Sequence, residues 1–577
     1  MRKIKRVIGY TLGIAMVLIA AIFLLNLHLT KRLERYLRKE LIHRTAEATD
    51  GFYRLSFDNL SISFFKGELT LEGIKLCPDS AVFRDWERKD SLPSVYVTAE
   101  VGMVDFKGLN LTWRRSYKQL HFDSFEIRNP DIQVFNPYYS TRAEVKERKE
   151  AEIKTLYEVV SPYINVLTVR ILNLENASVS YSVENPVSPI VYALNDVSFH
   201  AYGFRLDENS SESGKLLYCD NFDFITKRSQ TLLANNDFRL QTDRILLSTE
   251  DSIISISNIT LTPQGELWGE QKKRPDSYLN ALIRAIEVKG IQFRRENALN
   301  YLTARSLDII SSDIQAFNLA GESLPSAKKT EKKSLNEAEA DSLVRSLSLY
   351  ELISPVLHTV SIGTVGIGQA KLQYSFAVKD KIEVYKLANF DFQANDFRID
   401  SVSEAQRGFW YSRGFSFEAT GIEGVMTARN HRFTVKRMTL DTESGDFNLE
   451  RIRLYPLSVC GQNDYMAGSI DTVGIRGLLY DKGISARLLK IDRPNLRYVL
   501  VSSFNKKDVK SVKPANSRVD VESILNPFLR YFSVKRLILN YAYVTIDDKS
   551  MSDPVTYKLN DFNFFATGIW VNRQTGK

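Results

Sequence analysis

The chain has 577 residues, 44% of them apolar and 25% charged, a composition typical of a folded protein long enough for several domains. The formal net charge is +8. Much of this excess lies near the N-terminus, so the charge does not indicate a nucleic-acid partner. The three cysteines lie far apart without a CxxC pair, which excludes a disulfide framework as the organising device.

The N-terminus has the pattern of a membrane anchor. Residues 1–6 are basic, and residues 7–29 (VIGYTLGIAMVLIAAIFLLNLHL) contain no Asp, Glu, Lys or Arg. A helix of this length spans roughly 35 Å, enough for a bilayer core of about 30 Å. The alternative is a cleaved signal peptide, but this run is longer than usual and lacks a clear cleavage site. We therefore predict an uncleaved transmembrane helix over 7–29.

Residues 30–50 predict an amphipathic juxtamembrane helix. Leu33, Tyr36, Leu37 and Leu41 share one face of it. Such a helix lies at the membrane surface or forms a plain helical stalk, and the sequence does not decide between these. Basic residues flank the apolar run on both sides, so their count leaves the orientation of the anchor open.

From Phe52 onwards the apolar period changes to two, which is typical of strands with one apolar and one polar face. Two strands are predicted to meet at Lys66-Gly67. The second contains a motif of apolar residues that ends in proline. The motif occurs at 71–78, 256–263 and 449–456. Proline has no amide to donate to a ladder, so each strand is predicted to end there.

A hairpin-like segment recurs at 156–207, at 349–400 and from about 524 onwards. Ala177, Ala370 and Ala542 correspond, and alternating apolar residues follow each of them. A second strand with matching Tyr, Leu and Phe positions completes each copy. Repeats on this scale indicate one supersecondary unit copied along the chain.

Asn195-Asp196, Asn389 and Asn560-Asp561 fall near one another in the aligned copies. We interpret them as turn or strand-edge residues, with a ligand-binding role as the alternative. A third motif begins around Pro130 and recurs around Ser312 and Pro494, with spacings of 182 and 182 residues. It closes each unit. The units predicted in this way are 51–135 (a half unit), 136–317, 318–499 and a truncated 500–577.

Charged segments poor in aromatic residues follow each closing motif, at 142–154, 327–345 and 505–520. The first two have the composition of short helices and the third that of a flexible loop. We interpret all three as solvated connectors, with docking of a partner as the alternative. The last copy stops before its closing motif. This predicts a fragment, a truncated product, or a final sheet edge covered by something else.

No catalytic constellation is visible. The six histidines form no HExxH motif or paired ligand set, and GxSxG, Walker and GxGxxG motifs are missing. We therefore predict a protein that is not an enzyme, with no cofactor and no metal.

The N-terminal anchor, the proline-ended strand, the closing strand and the repeated hairpin together resemble the AsmA-like family of Gram-negative envelope proteins. The resemblance covers nearly all of the chain. It implies a single-pass inner-membrane protein with a cytoplasmic N-terminus, the bulk of the chain in the periplasm, and a long, bent sheet whose apolar groove conducts phospholipid towards the outer membrane. The resemblance supplies no catalytic residues.

The predicted fold is mainly β: a transmembrane helix, then an elongated, curved, repeat-built antiparallel sheet forming a groove, with short charged helical connectors. Few amphipathic helices are available to cover the apolar face, so the sheet must fold on itself, pair with another sheet or bind something apolar. The predicted lining residues are Val179, Tyr181, Phe199, Leu372, Tyr374, Phe392, Val544, Ile546 and Phe564.

Lipid conduction between the inner and outer membranes is the leading functional hypothesis. The alternative is a structural or assembly factor for the envelope, with an outer-membrane or other envelope protein as its partner. For each lining residue, ordinary packing between two sheets is the alternative to lipid contact. An open groove favours the first hypothesis, and a closed, dry sandwich favours the second.

Overall fold

The fold is known from a computed structural model of the full chain. The described residues are 31–47, 49–63, 66–89, 92–93, 95–114, 117–136, 157, 161, 164–183, 190–210, 215–233, 238–263, 277–296, 299–318, 357–378, 381–406, 411–458, 464–480, 484–501, 531–549 and 553–572. They form two compact units. The first runs to Thr260 and includes Ile291–Arg295, and the second comprises Leu261–Gly290 and the chain from Glu296.

The first unit is mainly β. Its strands are β1 (Tyr53–Ser56), β2 (Asn59–Ser63), β3 (Glu68–Pro78), β4 (Tyr96–Lys107), β5 (Asn110–Arg114), β6 (Tyr117–Asn136), β7 (Val166–Val183), β8 (Ile190–Leu206), β9 (Asn221–Leu233), β10 (Phe238–Ser248) and most of β11 (Ile253–Pro263) and β13 (Gln292–Glu296). Residues 31–47 form helix α1, and Ser80–Arg88 form helix α2, which begins after the N-cap Asp79.

The second unit has the same character. Its strands are β12 (Ser277–Lys289), β14 (Leu299–Asn318), β15 (Thr359–Val378), β16 (Lys381–Ile399), β17 (Gly414–Met426), β18 (His431–Asp441), β19 (Asp446–Pro456), β20 (Tyr465–Arg476), β21 (Leu479–Tyr480), β22 (Ile484–Asp492), β23 (Asn495–Leu500), β24 (Tyr531–Asp548) and β25 (Val555–Asn572). A short helix, α3 (Ser401–Gln406), follows β16.

Each unit contains one ladder in which successive strands are neighbours. In the first unit the pairing runs from β3 through β4, β6, β7, β8 and β9 to β10. In the second it runs from β12 through β14 and then strand by strand to β20, on to β22 and β23, and through β24 to β25. The predicted mainly β, repeat-built sheet is therefore confirmed.

The prediction of a purely antiparallel sheet is wrong. β6 pairs with β7, β14 with β15, and both β22 and β23 with β24, and all of these pairs are parallel. Each parallel pair joins the closing strand of one copy to the opening strand of the next. A parallel neighbour requires the chain to return to the same end of the sheet, which takes a connection of a dozen residues or more. The charged segments between the copies are long enough for this return.

The three copies share their backbone irregularities as well as their sequence. Asn176, Gln369 and Tyr541 all have positive φ, and the alanine that follows each of them is buried. Register shifts occur on either side of that alanine in each hairpin. The copies therefore carry the same β-bulge at the same place, which bends each hairpin in the same way.

Two other repeated motifs carry bulge-like residues too. Asn129, Ser311 and Arg493, at the start of the closing motif in each copy, have φ near +50°. The proline-ended strands β3, β11 and β19 finish at Pro78, Pro263 and Pro456, as predicted. Their motif has Gly73, Asn258 and Arg451 at one position, all with positive φ.

The repeated Asn and Asp residues, interpreted as turn or strand-edge residues, lie within strands, of which β25 pairs only with β24 among the described strands. Asp196 and Asp561 have positive φ and lie in the middle of β8 and β25. Asn389 lies inside β16, where its amide donates to Asp391 at 2.9 Å, and Asp391 accepts the Gln369 backbone N–H at 2.9 Å. The Asp391 side chain thus supports the bulge of the second copy, because a bulge leaves backbone groups outside the regular ladder.

Several predicted features lie outside the described residues. They are the membrane helix at 7–29, the cytoplasmic end at 1–6 and the charged connectors at 142–154, 327–345 and 505–520. The helix predicted over 30–50 is described over 31–47. It packs on the first unit: Leu37 contacts the cluster of Phe57, Leu60 and Leu71, and Glu34 accepts the Ile62 backbone N–H at 3.2 Å. The helix therefore covers part of the β2 edge.

Candidate functional site

The predicted lining residues lie on one face of their hairpins. In the second copy Leu372 pairs with Leu387, Tyr374 with Tyr385, and Phe392 with Ile367. Residues directly opposite on paired strands project to the same side of a sheet. The corresponding pairs in the other copies are Val179–Leu194, Tyr181–Tyr192, Phe199–Leu174, Val544–Leu559, Ile546–Tyr557 and Phe564–Leu539. We call this side of each unit its apolar face.

In the second unit the apolar face continues across neighbouring strands. One row of cross-strand partners runs from Phe392 through Phe417, Leu440, Phe447 and Ile475 to Leu489. A second row runs from Leu387 through Ile422, Val435, Ile452 and Ile470. Every position in both rows is apolar. The period-two pattern of the individual strands thus adds up to two apolar rows that cross successive strands.

The opposite face of the second unit is polar. Arg437 donates to both carboxylate oxygens of Glu418, at 2.8 and 3.0 Å, and lies 3.8 Å from Glu450. A concave region of about 900 Å³ in this unit is lined by polar residues such as Asp308 and Asp391 and by apolar residues such as Phe392 and Phe417. The two faces therefore differ in the kind of surface they present.

The apolar face of the second unit keeps exposed apolar side chains among the described residues. The described strands make their extended contacts with their ladder neighbours. Leu372 and Tyr374, which lie within the sheet, remain 37% and 39% exposed, and Leu559 and Phe564 on β25 are 59% and 50% exposed. Within the described part of the second unit, these exposures favour an open face over a closed, dry sandwich.

The nine predicted residues differ in exposure. Phe199 in the first unit packs against Ala201, Cys219 and Phe222, so a loop segment covers that position. Val179, Tyr181, Phe392, Val544 and Ile546 are half-buried. The structure thus places each residue on the apolar face of its own hairpin, with the first copy in one unit and the other two copies in the second.

A polar group on the apolar face was not predicted. Glu383 pairs with Phe376 and is 4% exposed. Its carboxylate accepts a hydrogen bond of 3.4 Å from the Tyr385 hydroxyl. Tyr385 has a counterpart in each copy, whereas Glu383 corresponds to Ile190 and Val555. The signal in the sequence was a single acidic residue at an otherwise apolar repeat position.

Burial raises the pKa of Tyr385, the nearby Glu383 carboxylate adds to this effect, and Arg429 opposes it. His431 pairs with Met426 and lies on the same face. Both of its ring nitrogens contact backbone carbonyls. Nδ1 contacts the Arg429 carbonyl at 2.6 Å and Nε2 the Met466 carbonyl at 3.1 Å. The imidazole is thereby bound to backbone groups.

The described residues contain no group of three or more His, Cys, Asp or Glu side chains placed to hold a metal ion. Within the same part of the chain, no helix combines the length and apolar character needed to cross a bilayer. Comparison with family models and with curated proteins gives no match for this sequence.

Proposed function

We propose that the chain is an inner-membrane-anchored envelope protein whose apolar face binds phospholipid acyl chains and conducts them between the inner and outer membranes. The observation that supports this most directly is the exposure of apolar side chains on the apolar face of the second unit, where Leu372 and Tyr374 are more than a third exposed. Soluble proteins rarely leave large contiguous apolar surfaces in water, and those that do use them to bind partners or ligands.

Acyl chains suit this face better than a compact ligand. The face is formed by aliphatic and aromatic side chains along many successive strands, and neighbouring strands lie about 4.8 Å apart. A row such as Phe392, Phe417 and Leu440 offers a continuous track for hydrocarbon, while the ion-paired polar face stays in water. The resemblance to the AsmA-like family and the apolar run at 7–29 support the envelope location.

Site-specific photocross-linking in the full chain tests this proposal. We would replace Leu372 or Val544 with benzoylphenylalanine, in separate proteins, and express them in a Gram-negative host labelled with radioactive phosphate. Gln373 and Thr545, one residue further along the same strands and on the opposite face, are the matched control positions.

After irradiation we expect phospholipid adducts from positions 372 and 544 and at least about fivefold less from 373 and 545. Equal labelling on the two faces, or no labelled adduct at any position, contradicts lipid binding by the apolar face. A protein adduct at 372 or 544 in place of lipid favours the structural or assembly role instead.

A further inference from the structure

Glu383 is an unusual residue for its position. It lies near the beginning of β16 on the apolar face and is 4% exposed. Among the described residues, the one hydrogen bond to its carboxylate comes from Tyr385, at the long distance of 3.4 Å. A buried carboxylate is costly unless it is paired with a cation or well hydrogen-bonded. The carboxylate of Glu383 therefore has capacity for a further donor.

Aromatic rings surround this carboxylate on the same face. The Phe376 ring stacks on Tyr385 with centroids 5.6 Å apart and on Tyr374 with centroids 5.3 Å apart. Phe433 approaches Tyr385 across β17, at 5.9 Å. Gly424, between them, has no side chain to keep the rings apart. Aromatic faces attract cations, and a cluster of rings is the recognised environment for alkylammonium groups.

Cationic side chains lie at the strand ends next to this cluster. Lys381 is exposed and its ammonium donates to the Thr427 carbonyl at 3.3 Å, which places it beside the turn that holds Arg429. Arg429 is also exposed, and its carbonyl lies 2.6 Å from Nδ1 of His431, which pairs with Met426 at the same end of the sheet. A carboxylate and aromatic rings thus lie within the apolar face, and cationic side chains lie at its rim.

The other hairpins provide an internal comparison. The tyrosine is present in all three copies, as Tyr192, Tyr385 and Tyr557, but the position of Glu383 is Ile190 in the first and Val555 in the third. A purely structural position would be expected to keep one kind of side chain in all copies. The acidic group is therefore a specific feature of the second copy.

We propose that Glu383, Tyr385 and Phe376 bind the ammonium group of a phospholipid headgroup, with Arg429 and Lys381 facing its phosphate. This inference rests on the proposed function, since it assigns a headgroup to a lipid whose chains lie on the apolar face. The carboxylate supplies the charge-assisted hydrogen bond and the rings supply cation–π contacts. A phospholipid with an uncharged glycerol headgroup satisfies the rim cations but leaves the Glu383 carboxylate unpaired.

The test is lipid competition on the purified full chain. The protein in detergent is incubated with an equimolar mixture of dioleoyl phosphatidylethanolamine, phosphatidylcholine and phosphatidylglycerol, and the bound species are counted by native mass spectrometry. We expect roughly tenfold enrichment of phosphatidylethanolamine over phosphatidylglycerol, the ratio that one charge-assisted hydrogen bond from its ammonium provides. Phosphatidylcholine has no N–H to donate and can offer only its positive charge to the carboxylate and the rings.

In Glu383→Gln the enrichment should fall to about one while the total bound phospholipid is kept, because the apolar face is unchanged. Tyr385→Phe should lower the headgroup enrichment in part. Glu423→Gln is the matched control. It removes the same charge from the polar face, where Glu423 pairs with Arg432 at 2.9 Å, and should keep the wild-type ratio.

Bound phospholipid without headgroup preference in the wild type, or full preference in Glu383→Gln, overturns this inference and leaves the proposed function intact. Preference for phosphatidylglycerol overturns it as well. A wild-type chain that binds no phospholipid contradicts the proposed function and the inference together.

Discussion

The ring of Phe433 lies directly over the backbone of Gly424, its cross-strand partner, so that a Cβ atom at position 424 would collide with Phe433 Cε1. Gly424 has no positive φ, and its role is therefore to leave space rather than to adopt a special conformation. The absent side chain lets Phe433 approach Tyr385 across β17. Glycine at this position thus allows aromatic rings from β15, β16 and β18 to lie next to one another.

Gly424→Ala should destabilise the second unit by about 1–3 kcal/mol, because the added methyl group must displace a packed ring. Urea unfolding of the full chain measures the loss of stability. Hydrogen exchange of peptides from β16–β18 shows whether the loss is located in these strands. Gly368→Ala is the control. A Cβ atom there meets its nearest neighbour, Asp391 Oδ1, at an ordinary 3.8 Å, and its stability should stay near the wild-type value. Equal stability of the two variants would show that Phe433 moves aside without cost.

Charge on the apolar face should abolish lipid binding. In the double variant Leu372→Asp with Val544→Asp, two carboxylates replace half-exposed apolar side chains. Each must be desolvated when hydrocarbon covers it. We expect the phospholipid recovered with the purified full chain to drop at least about tenfold, as measured by phosphate analysis and mass spectrometry.

The control for this pair is Gln373→Asp with Thr545→Asp, which adds the same charge to the same two strands on the polar face. It should retain wild-type lipid. Circular dichroism checks that both double variants keep their strand content. If both lose lipid equally, the loss reflects general destabilisation and the apolar face is not the binding surface.

The sequence was sufficient to predict the hairpins and the common face of the nine lining residues. Ala177, Ala370 and Ala542 mark one register, and with a side-chain period of two that register places Leu372 or Val544 on a definite side. The proline-ended strands followed from the missing amide of proline. These features depend on residues that are close together in the sequence, so they can be predicted without knowing which strands become neighbours in the sheet.

Gly363, Gly366 and Gly368 indicate a bulge or close approach in the second copy, but the bulges of the other copies and the parallel joins were not predicted, for different reasons. Gln369 and Tyr541 have positive φ, yet neither is the Gly or Asn that usually signals it, so the pairing with the next strand imposes the conformation. Strand direction depends on where a connector ends, and composition does not encode this. The prediction relied on positions at which the three copies agree. Glu383 differs from its counterparts in the other copies, so the repeat pattern did not indicate it.

One left-handed position is shared by all three hairpins and gives a test of backbone strain. Gly203, Asp396 and Gly568 correspond, and their φ values are +65°, +53° and +68°. A Cβ atom at Gly568 would have nothing within 4 Å, so only the backbone conformation opposes a side chain there. We expect Gly568→Asn to be tolerated, because Asn and Asp adopt this region and Asp396 already does.

Gly568→Val should instead weaken β25 by about 1–2 kcal/mol, since a β-branched residue is strongly disfavoured at positive φ. Hydrogen exchange of β25 amides, which pair only with β24 among the described strands, reports this local change. The β15–β16 hairpin in the same molecule is the internal reference and should exchange as in the wild type. Similar protection of β25 in the two variants would exclude backbone strain as the reason for glycine here.

Cys219 provides a chemical measure of how well the apolar face is covered in the first unit. It is 4% exposed and packs with Ala201, Phe222 and Phe199, and its thiol donates to the Leu217 carbonyl at 3.2 Å. Burial, aided by the charge of Asp220, raises the pKa of its thiol from 9.0 to about 11. Cys77 is free and exposed, so it serves as the reference thiol in the same protein.

The thiolate is the reactive species, and at pH 8 this pKa lowers the thiolate fraction of Cys219 about a hundredfold relative to a thiol of pKa 9.0. In a Cys460→Ser background, iodoacetamide at pH 8 should therefore label Cys77 quickly and leave Cys219 largely unmodified. A pH rise from 8 to 10 stays below the Cys219 pKa, so the thiolate fraction of Cys219 and its labelling rate should rise steeply. In urea the two cysteines should react equally fast. Fast labelling of Cys219 in the folded chain at pH 8 would mean that the segment around it leaves Phe199 open, and that the apolar face of the first unit is as accessible as that of the second.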